Sequence, residues 1–84
     1  MMMQTVYLDG AQYATKADLY AALKRLLTLP DYFGMNADAL NDCLSERREP
    51  ICLWLASRGE GEVARAMETV LAVFEDNGCT LREL

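Results

Sequence analysis

An α/β fold, with a small three-stranded parallel sheet packed against helices, is what this sequence predicts. Three observations carry the prediction. Short strand-like runs alternate with stretches of helical periodicity. Turn and cap residues fall at the junctions between them. Each pair of successive strands is separated by helix-length chain, which calls for crossovers and therefore parallel pairing. With 84 residues, the chain reads as a single domain, 1–84, because so short a chain does not hold two separate cores.

The first strand is Thr5-Val6-Tyr7-Leu8, β-branched and aromatic, ending at the Asp9-Gly10 turn signal. Thr15 and Asp18 then form a T-x-x-D start close to a capping box. Leu19, Ala22, Leu23, Leu26 and Leu27 follow at helical spacing, and Leu29-Pro30 is expected to end that helix. The segment from Pro30 to Met35 reads as a loop. Asn36 is the expected N-cap of a short second helix running to about Leu44, with Ala37, Leu40 and Leu44 on its apolar face. Ser45 to Pro50 is a charged connection. Ile51 to Leu55 is continuously apolar, the pattern of a strand buried on both faces. After the break at Ser57–Gly61, Val63, Ala66, Met67, Val70, Leu71 and Phe74 mark a long helix that Asn77-Gly78 stops. Cys79, Leu81 and Leu84 suggest a last strand, with the helices mainly on one side of the sheet.

Thirteen acids and eight bases give a net charge of −5. Such a surface repels phosphate backbones and anionic membranes and attracts a basic partner. No apolar run approaches the roughly 20 residues of a membrane span. The opening MMMQTVYLDG has no basic segment and no small-residue cleavage site, so a cytoplasmic location is expected. The three cysteines, Cys43, Cys52 and Cys79, show no CxxC spacing and read as reduced core thiols. The chain has no histidine, which removes the commonest general base and zinc ligand together. Neither an enzyme nor a metal or cofactor site is expected.

The acids are clustered. Between Arg25 and Arg47 no basic residue interrupts Asp31, Asp38, Asp42 and Glu46. Asp38, Asp42 and Glu46 follow i, i+4, i+8 spacing, one ridge on a helix. Like charges at that spacing cost roughly 0.2–0.5 kcal/mol per pair, and anions near a helix C-terminus oppose the macrodipole. The ridge is therefore either a solvated face or a functional surface that folding alone would not select. A second acidic stretch, Glu68, Glu75 and Asp76, lies between Arg65 and Arg82. Tyr32 and Phe33 stand side by side in the loop. Either one faces a ligand, or Phe33 fills the core while Tyr32 lies at its edge.

From Leu29 to Leu44 the pattern L-P-acid-Y-aromatic-G-x-N-x-D-A-L-x-D-C-L resembles the inhibitory loop and second helix of the barstar family of intracellular ribonuclease inhibitors. Matches at Asp18-Leu19, Pro50, Val70-Leu71-x-Val73-Phe74 and Gly78-Cys79 extend the resemblance over nearly the whole chain. It implies an inhibitor whose acidic loop and helix plug the cleft of a basic, extracellular-type ribonuclease or toxin domain. Carried over by position, Asp42 is the central phosphate mimic, facing arginines and a histidine of the enzyme. Asp38 is a second acidic contact and Tyr32 the loop aromatic that packs on the enzyme. Gly34 and Asn36 shape the loop, and Asp76, or else Glu75, is a contact on the last helix.

The pattern also departs from the family. Asn41 replaces a tryptophan on the second helix, Met35 an acid and Ala37 a larger apolar residue. The tryptophan just after this helix is absent, and a short extra helix is trimmed to Ser57–Glu62. These changes alter the rim and bear on which enzyme is the target. Two other readings compete. One is a Mg²⁺ or enzymatic site on Asp38, Asp42 and Glu46, which lacks a nucleophile or histidine nearby. The other is a non-inhibitory protein-interaction adaptor that offers the same acidic face to another basic partner. A monomer is expected in the free state.

Overall fold

The computed structural model describes residues 4–47, 49 and 51–84. Pro50, and residues 1–3 of the opening segment, lie outside the described residues. The elements are β1 (Gln4–Asp9), a 3₁₀ turn at Gly10–Gln12, α1 (Lys16–Leu26), α2 (Ala37–Glu46), β2 (Ile51–Ser57), α3 (Gly61–Asp76) and β3 (Thr80–Glu83). The sheet order is β1-β2-β3 and both pairings are parallel, as the strand–helix alternation predicts. The molecule measures 35 × 30 × 19 Å, and its short axis matches one sheet plus one helix layer.

Alternation along the strands sets the core. Val6 and Leu8 of β1 and Ile51, Leu53 and Leu55 of β2 are buried, with Leu81 of β3 half-buried in register with Leu53 and Val6. Against them pack Leu19, Tyr20 and Leu23 of α1, Leu40 and Leu44 of α2, and Met67, Val70 and Phe74 of α3. All six apolar positions expected for the last helix are buried.

The outer face corrects the expectation that β2 is buried on both sides. In register across the three strands lie Tyr7, Trp54 and Arg82, and Trp54 is 37% and Tyr7 50% exposed. Helices cover one face only, so the apolar run of β2 feeds a core on one side and an open aromatic row on the other. The row shields itself in part. The Arg82 guanidinium lies 5.8 Å from the Trp54 ring centroid, and Trp54 Nε1 donates to Cys52 Sγ at 3.1 Å.

β1 and β2 extend a residue or two beyond the sequence reading, to Gln4–Asp9 and to Ser57, and the boundaries of three further elements differ from it. α1 stops at Leu26, before Leu29-Pro30, because Thr28 takes a left-handed conformation (φ 53°). Leu29 N–H then reaches back to the Lys24 carbonyl and Thr28 N–H to that of Arg25, a Schellman closure on a non-glycine residue. α2 runs two residues past Leu44, so Glu46 is helical. β3 begins at Thr80 and ends at Glu83, with Cys79 and Leu84 flanking it. Cys79 instead completes the closure of α3, its N–H bonded to the Phe74 carbonyl beside Gly78 (φ 77°).

Candidate functional site

The loop 30–36 and α2 form one surface. The loop is fixed from inside by Phe33, which is 5% exposed and stacks at a tilt 6.3 Å from the Tyr20 ring. Anchoring Phe33 leaves its neighbour outside: Tyr32 is 81% exposed. The two readings of this aromatic pair thus resolve into one core residue and one presented to solvent. The loop also begins beside an exposed Lys24–Asp31 ion pair of 3.7 Å.

At the loop's end, Asn36 Oδ1 accepts the Ala39 N–H at 2.8 Å and its Nδ2 donates to the Gly34 carbonyl at 3.1 Å. One side chain therefore starts the helix and folds the loop onto it. A Cβ on Gly34 would stand 3.1 Å from that Nδ2, so glycine keeps the clasp closed. Its neighbour Met35 carries the left-handed backbone (φ 56°), which costs a non-glycine residue about 1–2 kcal/mol.

On α2, Leu40 and Leu44 are buried and turn Asp38, Asn41, Asp42 and Glu46 outward; all four are exposed. Among the described residues no ion pair engages Asp38, Asp42 or Glu46. Between the loop and the helix lies a hollow of about 250 Å³, lined by Tyr32, Phe33, Ala39, Asp42, Cys43, Ser45 and Glu46. Its floor is apolar and its rim carries two carboxylates and a phenol ring. A cationic group seated there would meet opposite charge and an aromatic face together. Glu46 was not singled out as a contact in the sequence pattern. The i+8 spacing signalled it, but its direction depended on where the helix ended.

The end of α3 joins this surface. Asn77 Nδ2 donates to Asn41 Oδ1 at 2.8 Å and to the Val73 carbonyl at 2.8 Å. Asn41 is therefore a brace between two helices as well as an exposed position, and its partner could be read from sequence only as a helix stop. Asp76 adjoins this brace. Glu75 lines a groove with Arg58, Leu71 and Leu81 beside β3.

Arg47, just past α2, is directed away from the acids. Its guanidinium donates to the Leu27 carbonyl at 2.9 Å and to Gln4 Oε1. Burial, then the charges of Glu46 and Asp42, push the Cys43 thiol up; burial does the same at Cys79. The three cysteines are free thiols, and all are half-buried. No cluster of metal-ligating side chains occurs among the described residues, and no described helix is long and apolar enough to cross a membrane.

The family model described as Barstar (barnase inhibitor) matches residues 3–83. A protein of Bacillus subtilis (strain 168) described as "Putative ribonuclease inhibitor YrdF" is 42% identical over 43 residues, 51% of this chain. That match spans about half of the curated relative, 47% of its length.

Proposed function

The chain belongs to the Barstar (barnase inhibitor) family, and from that premise we propose that it inhibits a ribonuclease by plugging the enzyme's basic cleft. The target is a secreted-type ribonuclease or a ribonuclease-type toxin domain, met in the cytoplasm by a free monomer that needs no cofactor. The observation that carries the reading is the carboxylate rim of Asp42 and Glu46, without an ion pair among the described residues, beside the exposed Tyr32 ring.

A ribonuclease cleft is built to hold phosphates, so its cations wait for acceptors at phosphate-like spacing. Asp42, fixed on a helix and flanked by the hollow, supplies the central acceptor, and Asp38 supplies a second one a turn earlier. Rigid placement matters because a preorganised carboxylate loses little entropy on binding. Tyr32 packs against the enzyme surface, while Gly34 and Asn36 hold the loop that presents it. On α3 the contact falls to Asp76, which adjoins the Asn41–Asn77 brace, and not to Glu75, which lines the groove beside β3. The acidic field speeds encounter with a basic partner, an effect that salt screens.

The test is a titration of a barnase-like ribonuclease with the chain and with Asp42→Ala, reading enzyme activity and binding kinetics at low salt. The intact chain is expected to inhibit stoichiometrically, and the variant to associate almost as fast but release far sooner. If the chain binds such an enzyme without blocking activity, the adaptor reading replaces inhibition. Equal release by variant and parent would remove the phosphate-mimic role from Asp42.

A further inference from the structure

A second cavity, of about 500 Å³, lies where the starts of all three helices meet, and it shares no lining residue with the hollow beside Tyr32. Its wall includes Lys16 and Tyr20 of α1, Asn36 and Ala37 at the start of α2, and Glu62 and Arg65 of α3. Two cations face it against one carboxylate, in a chain whose net charge is −5. Among the described residues neither Lys16 nor Arg65 is ion-paired. Glu62 is already engaged, its Oε2 accepting the Lys16 backbone N–H at 2.7 Å, so it ties the α1 and α3 starts together.

Tyr20 separates this place from an ordinary meeting of helix ends. The residue is 4% exposed, and its hydroxyl has no hydrogen-bond partner among the described residues. No fully buried polar side-chain atom is left unsatisfied among the described residues, so this hydroxyl keeps access to solvent, and Tyr20 lines the cavity. Burial pushes its pKa up, which keeps it a neutral donor. The Asn36 side chain caps Ala39, and Ala37, whose first-turn amide has no acceptor within the helix, lines the same cavity.

We propose that this cavity binds a small oxyanion, a carboxylate or a phosphate group, held by Lys16, Arg65 and the Tyr20 hydroxyl. The site stands apart from ribonuclease inhibition, although Asn36 borders it and belongs to the loop clasp as well. An anion bound there braces that clasp against α1 and α3.

Backbone amide resonances of the full chain, followed during titration with inorganic phosphate against sodium chloride of matched ionic strength, test it. Saturable shifts are expected at Lys16, Tyr20, Ala37 and Arg65. Affinity should fall about tenfold in Tyr20→Phe, which keeps the ring in the core, and at least as far in Arg65→Gln. Thermal unfolding of both variants separates a lost fold from a lost ligand. A parallel titration with acetate assigns the group: a response to both anions supports a shared site, and a response to one names it. Shifts that follow ionic strength alone, or that persist unchanged in both variants, would overturn the proposal.

Discussion

α1 and α2 are nearly equal in length, 11 and 10 residues, and both begin at a side-chain cap, yet their charges follow opposite rules. α1 has Asp18 in its first turn, Lys24 and Arg25 in its last, and a complete Thr15–Asp18 capping box. Its final carbonyls gain further donors, Gln4 to Leu26 and Arg47 to Leu27. α2 has Asp38 well placed at its start, but Asp42 and Glu46 follow and no cation occupies its last turn. The first base after its end, Arg47, serves α1 instead. α2 is held by its Asn36 cap and by Leu40 and Leu44 in the core, so its exposed charges are free to answer to something other than folding. Unfavourable charge on a well-anchored helix fits the binding face proposed for α2.

The sharpest way to break that contrast is Asp42→Ala. With a confirmed ribonuclease target, losing one partner of a desolvated charge pair is expected to weaken the complex by about 3–5 kcal/mol, read as faster release in surface-binding kinetics. The free chain should be as stable as the parent or slightly more so. Thr15→Ala on α1 should show the reverse pattern: about 1 kcal/mol lost in urea unfolding, with inhibition intact. Thr28→Gly relieves the left-handed strain that ends α1 and should gain up to about 1 kcal/mol in the same assay. Glu46→Lys should stabilise the free chain by only about 0.3–1 kcal/mol, through the helix dipole and removal of a like-charge neighbour. The same change should weaken partner binding. Stability falling in Glu46→Lys would mean that an acid at the end of α2 is not unfavourable to it.

A pH series sharpens the comparison further. Burial raises the pKa of the Cys43 and Cys79 thiols and of the Tyr13 and Tyr20 phenols. The folded chain therefore holds these protons more tightly than the unfolded chain. The stability they contribute is complete below the unfolded thiol value and is lost as pH rises through the folded values. Chemical denaturation should accordingly show stability declining from about pH 8.5 upward. Within that series Asp42→Ala should ease ionisation of Cys43, since Asp42 is one of the charges opposing it; iodoacetamide labelling rates would show this.

Much of the fold could be read in advance because its signals are local. The T-x-x-D box, the Asn36 cap, the Asn77-Gly78 stop and the apolar register of α3 each depend on residues within a turn or two of one another. The early end of α1 escaped because Thr28 is no customary left-handed residue, and Leu27 and Leu29 prolong the apolar pattern past the helix. Sequence also showed an acidic ridge and a loop of paired aromatics, and the family pattern attached roles to them.

The relations between elements follow from packing in three dimensions. An apolar run such as Ile51–Leu55 cannot say which of its faces a helix will cover; the one-sided helix layer buried Leu53 and left Trp54 in the open. The same layer sent Phe33 inward and so pushed Tyr32 outward, and it directed Arg47 to α1 and away from the acids. It brought Glu46 to the Tyr32 hollow and tied Asn41 to Asn77 across 36 residues of chain. Periodicity and capping act along the chain and are written in it. Which face is covered, and which distant side chains meet, depends on how the helices share one side of a sheet.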